Sequence, residues 1–147
     1  MDFKKILCPI DFSETSRAAL RTAVALGGRL GAELVLLHVY QMPSVALPDG
    51  FVVAGAEEMA RLGRDVDEGM KTWRADAEAM GATQVRTETA IGPTAAEIER
   101  VASEGGFDIV VMGTHGRTGI AHALLGSTAE KLVRRAPCPV LTVRPAK

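Results

Sequence analysis

Short apolar runs alternate with longer stretches of helical periodicity along this chain, and that alternation constrains the fold more than any other feature. Residues 5–10, 34–40 and 108–113 are apolar at nearly every position, the pattern of strands covered on both faces. Between them, Ala19, Ala23, Leu26 and Leu30 recur at helical spacing, as do Met59, Leu62, Val66, Met70, Trp73, Ala77 and Met80, each set marking one buried stripe. Strands alternating with helices imply right-handed crossovers, hence a parallel sheet with helices on both faces. The 147 residues suit one domain with a real core. A single doubly wound α/β domain over residues 1–147 is therefore expected.

The remaining elements follow from local signals. The segment Asp11-Phe12-Ser13-Glu14-Thr15-Ser16 carries capping chemistry for the first helix, with Asp11 a candidate cap, and that helix ends near Gly31. Residues 41–55, with two prolines and two glycines, predict a long loop after the second strand, and loops of that length are often lids. The second helix contains Gly63 and Gly69, each costing about 1 kcal/mol against alanine, so a break there is conceivable. Residues 84–90 alternate with period two, which suggests a sheet edge. Pro93 opens a third helix, which Thr94 could cap. A fourth helix is expected over 128–135 and a last strand over 139–143.

Ligands of such folds bind beyond the C-terminal ends of the strands, where the strand order reverses. There the chain places Gly113-Thr114-His115-Gly116, nine further residues, and then Gly126-Ser127-Thr128. The glycines allow close backbone approach. Gly126-Ser127 sets unpaired amides and a hydroxyl at a helix start, where anions are favoured. The two parts read as halves of a phosphate cradle. Ser127 and Glu130 also spell a capping box, a role compatible with phosphate binding because both use the same amides.

Several nucleotide folds are excluded. There is no Walker-type Gly-x-x-x-x-Gly-Lys-Ser/Thr and no Gly-x-Gly-x-x-Gly after the first strand. The turn at Pro9-Ile10-Asp11 lacks a pyrophosphatase loop, and Asp11 lacks the companion acids of a response regulator. A net charge of −1 gives no global attraction to nucleic acid or anionic membrane. No apolar stretch approaches a bilayer span and no signal-peptide pattern opens the chain, so a cytoplasmic location is expected. Cys8 and Cys138 have no metal-ligand spacing and read as buried, inert thiols. His38, within an apolar strand, reads as a core histidine, and Trp73 as part of the helix stripe. His122 takes no role.

The full pattern resembles the ATP-binding branch of the universal stress proteins. The resemblance spans nearly the whole chain: Ile6-Leu7-Cys8-Pro9-Ile10-Asp11, Leu36-Leu37-His38-Val39, Val111-Met112-Gly113-Thr114-His115-Gly116-Arg117-Thr118-Gly119, Leu125-Gly126-Ser127-Thr128, and Ala136 to Arg144. It implies a flavodoxin-like five-stranded sheet of order 3-2-1-4-5 that binds an adenine nucleotide. By position, Asp11 and the backbone of Val39 would face the adenine end, and Met112 and Gly113 the ribose. Gly116, Gly126, Ser127 and Thr128 would hold the phosphates, with Pro9, Thr114 and Arg117 completing the lining. His115 and Arg117 either supply charge to the phosphates or belong to a solvated loop. ATP accompanied by Mg²⁺ is the expected cofactor, since the site offers few cations of its own. The resemblance also implies homodimers paired through the C-terminal strand, Val140–Val143. The function that follows is a stress-response module in which ATP acts as a ligand that alters conformation or partner choice. A slow ATPase, or an interaction dimer with a vestigial site, are the alternatives.

Overall fold

In the computed structural model, which describes residues 2–116 and 125–145, the main sheet is parallel throughout. Its strands are β1 (Lys5–Pro9), β2 (Glu33–Tyr40), β5 (Val85–Ile91), β6 (Ile109–Gly113) and β7 (Val140–Val143). They lie in the order β5-β2-β1-β6-β7. Renumbered among these five, that is the order 3-2-1-4-5.

Burial explains the pattern of each strand. Along β1 and β2, Ile6, Cys8, Leu34 and Leu36 point into one core cluster, and their neighbours Leu7, Val35 and Leu37 into the other. The first cluster lies under α1 (Glu14–Leu30) and α2 (Ala56–Ala79), through Leu20, Met70 and Trp73. The second lies under α3 (Thr94–Glu104) and α4 (Ser127–Arg135), through Ile98 and Leu132. Strands apolar on both faces are what a sheet covered on both sides requires. Among the described residues the alternating strand β5 pairs only with β2 and forms an edge, as its period implied.

Three local expectations are corrected. Residues 41–55 are not a plain loop, because β3 (Ser44–Leu47) and β4 (Gly50–Val53) pair antiparallel as a hairpin. Its turn, Leu47-Pro48-Asp49-Gly50, places proline at the second position and a glycine at φ 138° at the fourth. The second helix starts at Ala56 and runs unbroken through Gly63 and Gly69. Cap positions also shift: Ser13, not Asp11, caps α1, its hydroxyl accepting from the Ser16 amide. Pro93 and Gly126 occupy the N-caps of α3 and α4, so Thr94 and Ser127 are first helical residues and no side chain caps either helix.

Cys8 is fully buried, and burial pushes its thiol up to about 12. Cys138 is only half-buried, so just one of the two matches the expectation of a fully buried thiol.

Candidate functional site

Because β1 lies between β2 and β6, the chain leaves the C-terminal end of β1 toward one side of the sheet and the end of β6 toward the other. A cleft of about 410 Å³ opens at this divergence. Ten of the eleven site residues expected from sequence line it: Pro9, Asp11, Val39, Met112, Gly113, Thr114, Gly116, Gly126, Ser127 and Thr128. Arg117, like His122, lies outside the described residues.

The cleft has two chemical parts. Leu37 and Val39 from β2, Ile98 from α3 and Met112 from β6 supply an apolar wall. Thr114, His115 and Gly116, with Gly126, Ser127 and Thr128, supply a polar rim from the segment after β6 and the first turn of α4. The amides of Ser127, Thr128 and Ala129 head that helix and have no intrahelical acceptor. The positive end of the helix dipole falls among them. A backbone hydrogen bond of 2.6 Å from Gly126 N–H to the Thr114 carbonyl joins the two sides of the rim.

Asp11 is held rather than merely present. Its Oδ1 accepts from the Ser13 amide at 3.0 Å and from the Ser16 hydroxyl at 2.6 Å. The Ser16 hydroxyl oxygen in turn accepts from the Asp11 amide. Ser16 is a buried polar residue of the cleft that sequence reading passed over. Its signal was present, a serine one turn into a helix whose entry carries an aspartate. Ile98 and Leu37 also line the cleft, and nothing in their local pattern distinguishes a core wall from a ligand wall.

Phe12 follows Asp11 with a left-handed φ of 65°, the one such non-glycine residue among those described. This conformation costs a non-glycine residue of order 1–3 kcal/mol and persists where surroundings hold it. Here the ring centroid lies 4.4 Å from that of His38 and 5.8 Å from Trp73, edge-on. His38 is buried, and its Nδ1–H donates to the Ile10 carbonyl at 2.8 Å. It is a core histidine, as its strand setting implied. Arg17 crosses the other side of the cluster, its guanidinium 4.5 Å from the Trp73 ring and 2.7 Å from Asp76.

The motif glycines answer to the protein's own packing. A Cβ on Gly113 would stand 2.5 Å from Thr15 Cγ2, so glycine there lets α1 settle on β6. A Cβ on Gly116 would meet Asp11 Oδ2 at 2.9 Å, and one on Gly126 would meet the Thr114 carbonyl oxygen at 3.0 Å. Glycine at both positions is thus also required by intramolecular contacts, while both residues line the cleft. Residues 41–55, expected to act as a lid, are not among the residues that line the cleft.

The model of the universal stress protein family matches residues 2–144. The chain belongs to the universal stress protein family. Among its relatives is universal stress protein MJ0531 of Methanocaldococcus jannaschii, 35% identical over 148 residues, covering 99% of this chain and 84% of that one. Universal stress protein YxiE of Bacillus subtilis is 33% identical over 97% of this chain and 99% of its own length. Among solved structures, universal stress protein UspA of Lactobacillus plantarum superposes with a TM-score of 0.83 at 25% identity, covering 98% of this chain and 99% of that one. A universal stress protein in complex with cAMP shares the fold, with a TM-score of 0.70 at 23% identity over 99% of this chain and all of that one. The doubly wound, flavodoxin-like architecture is thus that of its family.

Proposed function

We propose that this universal stress protein binds an adenine nucleotide, ATP with its Mg²⁺, in the cleft above β1 and β6, and uses it as a conformational ligand. The observation that carries this reading is the division of one cleft into an apolar wall and an amide-rich helix start. Such a division suits a flat base joined to an anionic tail. The base would rest against Val39, Ile98 and Met112. Asp11, fixed by Ser13 and Ser16, would accept a hydrogen bond from the base or a ribose hydroxyl. The α4 amides and the Thr128 hydroxyl would take phosphate oxygens, and Arg117 would add charge. No group of three His, Cys, Asp or Glu able to hold a metal occurs among the described residues. Mg²⁺ would therefore arrive coordinated by the phosphates. The structure solved with cAMP supports the capacity of this fold for an adenine nucleotide.

We further propose that two copies pair through β7, whose outer edge has no neighbour in the described sheet and whose Leu141 is exposed. An unpaired strand edge invites such pairing. A Leu141→Lys chain that keeps the wild-type mass in light scattering would overturn the pairing.

The deciding experiment for nucleotide binding is acid release and mass spectrometry of the purified chain, followed by calorimetric titration with ATP, AMP and cyclic AMP. Recovery near one adenine nucleotide per chain, or saturable heat with any of the three, carries the reading. No nucleotide and no heat would sink it. Phosphate release from Mg-ATP that Ser127→Asp abolishes would make the protein a slow ATPase instead.

A further inference from the structure

The left-handed backbone of Phe12, φ 65°, lies beside the cleft, and the hydrogen bonds around it show what that conformation achieves. Asp11 Oδ1 accepts the Ser13 amide at 3.0 Å, two residues on, which closes an Asx turn. Such a turn copies a β-turn, with the aspartate side chain in place of the first residue, so Phe12 stands at the third position. In a type II turn that position is left-handed and favours glycine or asparagine. A bulky aromatic is the unfavourable choice there.

We infer that Phe12 is a positioning residue, whose clamped ring holds this turn left-handed and thereby aims the Asp11 carboxylate into the cleft. The clamp comes from β2 and α2. The His38 ring lies 4.4 Å from the Phe12 ring centroid, and Trp73 meets it edge-on at 5.8 Å. Gly69, one helical turn before Trp73, leaves the space that the ring tip fills, since a Cβ there would stand 2.9 Å from Phe12 Cζ. Glycine at position 12 would make the turn easily but give neither element anything to grip.

Asp11 is fixed from its other side as well. The Ile10 amide donates to the Leu37 carbonyl at 2.8 Å, and the Ile10 carbonyl accepts from His38 Nδ1–H at 2.8 Å. His38 thus holds the residue before Asp11 by a hydrogen bond and the residue after it by ring contact. Between these two anchors, Asp11 Oδ1 takes Ser13 and Ser16, while Oδ2 lies against Gly116. Asp11 and Gly116 both line the cleft, whereas Phe12 is not among the lining residues and acts through Asp11. The use of this aim rests on the nucleotide reading above, in which Asp11 meets the base or a ribose hydroxyl.

A residue that only filled the core would behave differently. At a site stripped of its ring, packing favours alanine over glycine, because alanine buries a methyl group that glycine lacks. A left-handed φ favours glycine and asparagine over alanine. The two roles therefore order the same substitutions in opposite ways.

The test compares Phe12→Ala, Phe12→Gly and Phe12→Asn in the full chain, by hydrogen exchange of the Ser13 amide without ligand and by calorimetric titration with Mg-ATP. All three delete the ring, and only alanine resists the left-handed φ. Phe12 is half-buried, so each variant is expected to fold, which circular dichroism checks. The Ser13 amide should exchange about tenfold faster in the alanine variant than in the other two, the size of the left-handed penalty. ATP affinity should fall in the same order, because only chains with the turn in place bind. Ser13 protection in alanine equal to or above that in glycine would overturn the inference. So would Ser13 protection in the expected order with ATP affinity equal in all three, since Asp11 would then be aimed at no ligand. If Phe12→Ala does not fold, the other two decide: a protected Ser13 amide in both supports the inference, and an unprotected one in either overturns it. A wild type that binds no ATP sinks the nucleotide reading instead, and the Ser13 amide alone then decides whether Phe12 positions Asp11.

Discussion

Gly69 of α2 is the seat of the Phe12 ring. A Cβ at position 69 would fall 2.9 Å from Phe12 Cζ and 3.1 Å from Cε1. Helix propensity alone would favour alanine there by about 1 kcal/mol. The contact reverses that preference, and it ties a mid-helix residue to the turn that carries Asp11.

Gly69→Ala should therefore destabilise the protein by about 1–3 kcal/mol, the range for overpacking a filled site. Phe12→Gly removes the ring and suits the left-handed φ of 65°. In the Phe12→Gly background, Gly69→Ala should be neutral or stabilising. Urea denaturation of the four chains gives the coupling. Additive effects would show that ring and glycine do not meet.

Ser127 offers a cleaner probe of the cleft than Gly126, whose substitution must displace the Thr114 carbonyl. Ser127 is exposed at the first position of α4. An aspartate there should stabilise the helix by about 0.3–1 kcal/mol through its dipole. The same charge should repel a bound phosphate. Ser127→Asp is expected to raise the thermal midpoint slightly and weaken ATP binding by about tenfold or more, the effect of roughly 1.4 kcal/mol. Unchanged ATP affinity in calorimetry would remove the phosphates from α4.

Asp108 sets an acid limit. Its Oδ2 accepts the amides of Lys4 and Lys5 at 2.8 Å each, joining the start of β6 to the entry of β1. Those hydrogen bonds, Lys4's first, hold its carboxyl below the ordinary value. A lowered carboxyl contributes stability above its unfolded pKa of about 3.9, and loses it as pH falls through the lower folded value. Asp108→Asn should lower the urea midpoint at pH 7 and flatten its decline below pH 4. Parallel pH profiles for the two chains would contradict this.

Gly113→Ala tests the fit of α1 on β6. Besides Thr15 Cγ2, its Cβ would meet Thr15 backbone at 3.1 Å. A loss of about 1–3 kcal/mol is expected, with only partial rescue by Thr15→Ala, since the backbone contact remains. Full rescue would place the clash in the side chain alone.

Strands β1, β2 and β6 were legible because burial on both faces writes itself into consecutive apolar residues, as at Leu34 to Leu37, and the edge strand β5 through its period-two alternation. The same logic hid the hairpin. Val45, Leu47, Phe51 and Val52 are apolar without being buried, so composition and burial part company there, although Pro48-Asp49-Gly50 spelled a turn. Capping at the α1 entry was ambiguous because Asp11, Ser13 and Ser16 all carry suitable oxygens, and only the three-dimensional hydrogen bonds choose among them. The positions of the cleft residues were readable from strand ends. The reasons for the glycines were not, since Thr15 and Asp11 lie about a hundred residues away in sequence from Gly113 and Gly116.

The hydrogen bond between Gly126 and Thr114 closes an excursion of eleven residues, 115 to 125. Joining the ends of a flexible segment of that length costs about 2 kcal/mol plus a constant, and each doubling of length adds only about 0.6 kcal/mol. With the ends fastened in the folded chain, a ligand does not have to bring them together. The entropy of joining the two sides of the rim is therefore charged to folding and not to binding, so a ligand meets an anion-facing helix start already set against the end of β6.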